Sequence, residues 1–205
     1  MYIKRAERSL PWLWMVLSVC CVLTSGTVLA ENIGNVSTRT LSPRAKDVDS
    51  ILRSLLGKWE GDYEYFDASQ RRYLTLPSKL VFDTLSLPAV ITLDAISDRG
   101  SGKPPLRALT TMVVRADGAT IRQMVFQEGN ALVADKIVTR YSLKSDSEWT
   151  MDILEAQEGS GGPALVTVEF VRSGDQLTIT KRRSLEGDVQ PPRTHESMAR
   201  MKRKA

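Results

Sequence analysis

At Gly57 the apolar residues of this chain stop recurring every third or fourth position and begin to recur every second one. Before that point Val48, Ile51, Leu52, Leu55 and Leu56 fall at i, i+3, i+4, i+7 and i+8, a single stripe along an amphipathic helix. Ser42 is a capping residue and Pro43 suits the first helical position. Gly57 stands where a left-handed residue ends such a helix. After it, Trp59, Gly61, Tyr63 and Tyr65 alternate with Lys58, Glu60, Asp62 and Glu64. Strict alternation of this kind is the pattern of a half-buried strand. One helix leading straight into a strand is therefore the first constraint on the fold.

The strand pattern continues to the end of the chain. Further runs are expected at Tyr73–Leu85, Ala89–Ser97, Arg107–Arg115, Thr120–Gln127, Ala131–Leu143, Trp149–Ala156, Ala164–Arg172, Gln176–Ser184 and Thr194–Met201. Asp117-Gly118, Glu128-Gly129-Asn130 and Ser173-Gly174-Asp175 are tight hairpin connections. Residues 98–105 and 158–163 are longer glycine-rich loops. Consecutive strands joined by short hairpins make a meander, and a meander hides its edges most economically by closing on itself. The fold class expected is all-β: an antiparallel up-and-down barrel of about eight to ten strands with one N-terminal α-helix. A two-sheet sandwich satisfies the same strand count.

The N-terminus carries a different kind of signal. Lys4, Arg5 and Arg8 precede an apolar stretch from Leu10 to Leu23, and Val28-Leu29-Ala30 offers a small-residue exit. That order reads as a signal peptide over residues 1–30, a flexible leader over 31–42, and a barrel domain over 43–205, exported to the periplasm or the medium. The apolar stretch is short of the roughly 20 residues a spanning helix needs, so no stable membrane insertion is expected once the signal is removed. Cys20 and Cys21 are the only cysteines, so the barrel domain has no disulfide and no thiolate chemistry. The chain has 28 basic and 24 acidic residues, and residues 1–30 hold three and one of these. The remainder lies close to neutrality, with no overall field to attract nucleic acid. The basic C-terminal end, Arg200, Lys202, Arg203 and Lys204, reads as a solvated terminus.

The helix, the run Gly57-Lys58-Trp59-Glu60-Gly61 and a meander ending in a basic strand resemble the lipocalin-like (calycin) barrels. The resemblance implies that Trp59 plugs the closed end, with Arg200 or Arg203 laid over its indole face. A cation on an indole contributes roughly 0.5–2 kcal/mol. Gly57, Trp59 and Gly61 also resemble the opening Gly-x-Trp-x-Gly of the nitrobindin-like haem-binding barrels, which implies haem held through a histidine of the last strand. His195, the only histidine, has that place. Two departures stand against it: Tyr63 occupies a position that branch keeps small, and its second pocket histidine is missing.

Within a barrel, Trp59, Gly61, Tyr63 and Tyr65 share the inward face of the first strand. Val166, Val168 and Phe170 share one in a later strand, and the reading also places Met124 and Phe126 inward, although Arg122 has their parity. Such an aromatic, mostly apolar lining suits a small hydrophobic ligand, bound by Trp59, Tyr63, Tyr65, Met124, Phe126, Val168 and Phe170. The alternative is a filled interior whose outer surface binds a protein partner. A single histidine excludes a multi-histidine metal site, and no Gly-x-Ser-x-Gly elbow, phosphate loop or dinucleotide fingerprint is present. No catalytic residue and no cofactor is expected apart from the haem alternative.

Overall fold

The computed structural model describes residues 43–67, 70–85, 90–100, 102–127, 130–159, 162–185 and 196–205. Residues 1–42, on which the signal-peptide and leader readings fall, and His195 lie outside them. The stripe of apolar residues forms α1 (Pro43–Ser54). The strands are β1 (Gly57–Asp67), β2 (Arg72–Thr84), β3 (Val90–Ser97), β4 (Leu106–Val114), β5 (Thr120–Gln127), β6 (Asn130–Ser145), β7 (Glu148–Gly159), β8 (Gly162–Ser173), β9 (Gln176–Leu185) and β10 (Ser197–Arg203). Each pairs antiparallel with its chain neighbour, and β1 pairs with β10, so the sheet closes into a ten-stranded barrel. The register at the seam runs from Trp59 opposite Arg203 to Tyr65 opposite Ser197. Closure leaves no edge strand, which settles the choice between barrel and sandwich. Among the described residues no helix is long and apolar enough to cross a membrane.

Antiparallel order puts α1 and the β2–β3, β4–β5, β6–β7 and β8–β9 connections at one end. At that end the helix is a stopper. Ala45, Val48, Ile51 and Leu55 are fully buried, in one cluster with Trp59, Phe82, Trp149, Met151, Leu177 and Met201. The positive φ of Gly57, 120°, turns the chain from helix into β1 at the position the sequence marks. Arg44 ties the first turn of α1 to the barrel, donating to the carbonyls of Gly118 at 3.2 Å and Val138 at 2.5 Å.

Candidate functional site

Every second residue of each strand points inward, and the interior so formed has two unlike halves. The half beneath α1 is mostly apolar, with Trp59 at its centre. Its indole Nε1 donates to the carbonyl of Leu55 at 2.7 Å, and Arg172 and Arg203 lie 5.4 and 5.7 Å from the ring centroid. The same two guanidiniums cap the helix: Arg203 donates to the carbonyl of Leu56 at 2.6 Å, and Arg172 to that of Ser54. Three carbonyls that a helix end leaves without partners are thus satisfied by side chains, two of them cationic, where the helix dipole favours positive charge. Burial, followed by the charge of Arg203, lowers the pKa of Arg172.

The expected plug is in place, with one correction to its partners. Arg203 covers the indole, but Arg200 is exposed on the outer face of β10. It has the parity of Lys202, whereas Ala199, Met201 and Arg203 point inward. The second cation comes from Arg172 in β8, which sequence reasoning missed because β8 neighbours neither β1 nor β10.

The half remote from α1 carries charge. Lys136 of β6 and Glu155 of β7 form an ion pair with side chains 0% and 3% exposed. Lys181 of β9 pairs with Glu196, just before β10, at 3.2 Å, with exposures of 3% and 13%. Beyond that contact, neither Lys181 Nζ nor Glu196 Oε2 has a hydrogen-bond partner. Glu155 Oε1 and Arg183 Nε are likewise buried without a hydrogen-bond partner. The register gathers these groups: Lys136 precedes the pair Ile137–Leu154, so it faces Glu155, and Val166 lies between Glu155 and Arg183. Gln123 of β5 and Ser197 of β10 are also buried on this wall. Burial lowers the pKa of Lys181, opposed by Glu196 and Glu155 and reinforced by Lys136.

Tyr63 and Tyr65 point inward as expected, their rings stacked with centroids 5.9 Å apart. Burial raises the pKa of Tyr63, against a hydrogen bond with Ser197 that lowers it. Val166 and Val168 are buried inward and Phe170 half-buried. Beside them the wall is built from small side chains: Ser78, Ser97, Ala108 and Ala199 are all buried.

Met124 and Phe126 are the expectation that fails. They are 36% and 42% exposed on the outer face of β5, while Ile121, Gln123 and Val125 are buried inside. The physical reason is Arg122, which shares their parity and pairs with Asp135 in solvent at 2.8 Å. Turning that face inward would desolvate the guanidinium, whereas a neutral Gln123 is inexpensive inside a polar wall. The residues sequence reasoning missed had a signal of their own. Lys181-Arg182-Arg183 are consecutive in a strand, so alternation forces at least one cation inside.

Together these features define a closed antiparallel barrel of ten strands with a helical stopper and a charged inner wall. No family model and no curated protein matches the chain. Among solved structures it is similar to Rv2717c from M. tuberculosis, at 14% identity and a TM-score of 0.54, over 81% of this chain and 100% of that one. A protein of unknown function from the DUF3598 family of Nostoc punctiforme aligns over 77% of this chain and 99% of its own. Its identity is 10% and its TM-score 0.22, too loose for inference. At such identities the likeness concerns the fold alone.

Proposed function

We propose that this barrel binds a small amphipathic molecule in the half of its interior remote from α1. The observation that carries the reading is a set of four buried polar atoms without hydrogen-bond partners, of which Glu155 Oε1 and Arg183 Nε have no contact of that kind and Lys181 Nζ and Glu196 Oε2 have only their ion pair with each other. Leaving a buried polar atom unpaired costs about 1–3 kcal/mol, more where charged, and a polar head group would satisfy these. A purely hydrophobic ligand would not, so the expectation of a hydrophobic occupant is narrowed to one with a polar head. Val166, Val168, Phe170 and the two tyrosines would take its apolar part out of water at about 25 cal/mol per Å². The small side chains of the wall support room for it. The basic and apolar N-terminus supports binding outside the cytoplasm.

Displacement of a fluorescent fatty acid tests the reading. Amphipathic molecules are expected to compete and alkanes are not; a folded sample from which nothing in a broad amphiphile panel displaces the probe would overturn it.

A second reading, docking of a protein partner on the outer wall, is favoured by one observation. Leu109, Met124, Phe126 and Val133 are exposed on adjoining strands, with Leu109 opposite Phe126 and Met124 opposite Val133. Haem held through His195 is the remaining alternative. The described residues fit it poorly, since the stacked Tyr63 and Tyr65 occupy the inner face where the haem-binding branch keeps a small residue.

A further inference from the structure

Two of the four open atoms are donors and two are acceptors, and this division says more about the occupant than burial alone. Lys181 and Arg183 stand one pleat apart on the inner face of β9, roughly 7 Å along the strand. Lys181 lies between Val168 of β8 and Ser197 of β10. Glu196 is fixed beside it by backbone: its N–H donates to the carbonyl of Lys181 at 2.8 Å, and its carbonyl accepts from Phe66 at 3.1 Å. Glu155 gives Oε2 to Lys136 and keeps Oε1 open. The inner wall of this half therefore holds three cations, Lys136, Lys181 and Arg183, and three carboxylates, Glu155, Glu196 and the buried Asp67 of β1.

We propose that this cluster recognises a head group that joins an anion to a hydrogen-bond donor, the simplest being an alpha-hydroxy carboxylate. The inference rests on the interior-ligand reading above. An anion accepts from Lys181 Nζ and Arg183 Nε, and charge-assisted bonds of this kind are the strong ones. It leaves the two carboxylate oxygens unserved, since like charges repel. A hydroxyl or N–H on the adjacent carbon donates to Glu155 Oε1 or Glu196 Oε2. A neutral alcohol fails on the charge, and a plain acid fails on the donor. The lowered pKa of Lys181 agrees with the assignment, because an anion beside it restores the protonated form.

Four probes with one tail length test this by calorimetry: octanoic acid, its alpha-hydroxy derivative, octanol and methyl octanoate. The hydroxy acid is expected to bind roughly tenfold tighter than octanoic acid, and octanoic acid roughly tenfold tighter than the ester and the alcohol. Lys181→Met should erase the difference between acid and ester while octanol binding is kept. Arg183→Gln, at a half-buried position, gives the same readout if Lys181→Met does not fold. Octanol or the ester binding as tightly as the acids would overturn the head-group assignment and leave the interior ligand standing. Equal affinities for the two acids would overturn the donor requirement. No binding of any of the four would remove both readings.

Discussion

Removing the indole of Trp59 takes away the centre of the apolar half, the partner of the Leu55 carbonyl and the surface under two guanidiniums. Trp59→Ala is expected to cost about 3–5 kcal/mol in urea denaturation, the range for a large buried aromatic. Trp59→Phe keeps most of the volume but leaves the Leu55 carbonyl without its donor, and should cost about 1–3 kcal/mol. Tyr63 gives a prediction with a sign in pH. Its pKa is raised above the ordinary value of 10.0 by burial first, and by the charge of Glu196 and the neighbouring Tyr65 as smaller contributors, with Ser197 opposing. A group whose folded pKa is raised contributes stability that is fully present below its unfolded pKa and is lost as pH rises through the folded one. Unfolding free energy should therefore begin to fall above about pH 10, where the unfolded chain starts to lose the phenolic proton. Tyr63→Phe should flatten that fall, whatever its effect at neutral pH; an unchanged slope would contradict the assignment. At this scale Trp59 was legible because its spacing from Gly57 and its place after a helix are local facts. Arg172 and Lys181 were not, because what a cation touches inside a barrel depends on strands far away in sequence.

Between elements, the weakest point of a closed meander is its seam, here β1 against β10. Gly61 sits there because the two backbones approach so closely that a Cβ would lie 2.0 Å from the carbonyl oxygen of Arg200. Backbone cannot swing aside as a flexible side chain can. Gly61→Ala is expected to destabilise by about 3 kcal/mol or more, at the upper end of overpacking. The loss should appear first as faster hydrogen exchange at Tyr63 and Ala199, which pair across the seam. The helix and the order of the strands were legible because each follows from periodicity and turn chemistry within a few residues, but the glycine-rich stretch 158–163, expected as a loop, pairs Glu158 with Pro163 and Gly159 with Gly162 as a continuation of β7 and β8. The faces were less so. Val166, Val168 and Phe170 could be placed because their apolar run admits one reading, whereas β5 mixes Arg122 with Met124 and Phe126. In β6 the register shifts between Val138 and Arg140, so Val138 and Tyr141 are both carried in the core although their spacing is odd. A bulge of that kind breaks the alternation from which faces are read, and nothing in the local sequence marks it.

Across the whole molecule the interior is divided between a stoppered apolar end and a charged end, and the Lys136–Glu155 pair lies within the second. A buried ion pair is weak evidence for stability, because desolvating two charges can exceed their attraction. Breaking it from one side is another matter. Lys136→Met leaves Glu155 buried and unpaired, and should cost about 3–5 kcal/mol. The double change Lys136→Met with Glu155→Leu removes both charges and should recover most of that loss, or exceed the wild-type stability by about 1–4 kcal/mol. A double-mutant cycle in urea measures the coupling directly. The same double variant discriminates between two reasons for the pair. If it is present for the fold, the recovered barrel should bind amphipathic probes as the wild type does. If it serves the site, the recovered barrel should show a weakened preference for a head group with a hydrogen-bond donor, because the Glu155 acceptor has gone while Glu196, Lys181 and Arg183 remain. The proposed ligand reading expects the second outcome. Lys136 occupies only one oxygen of Glu155, and the other is buried on the inner wall without a hydrogen-bond partner, where the proposed head group would meet it.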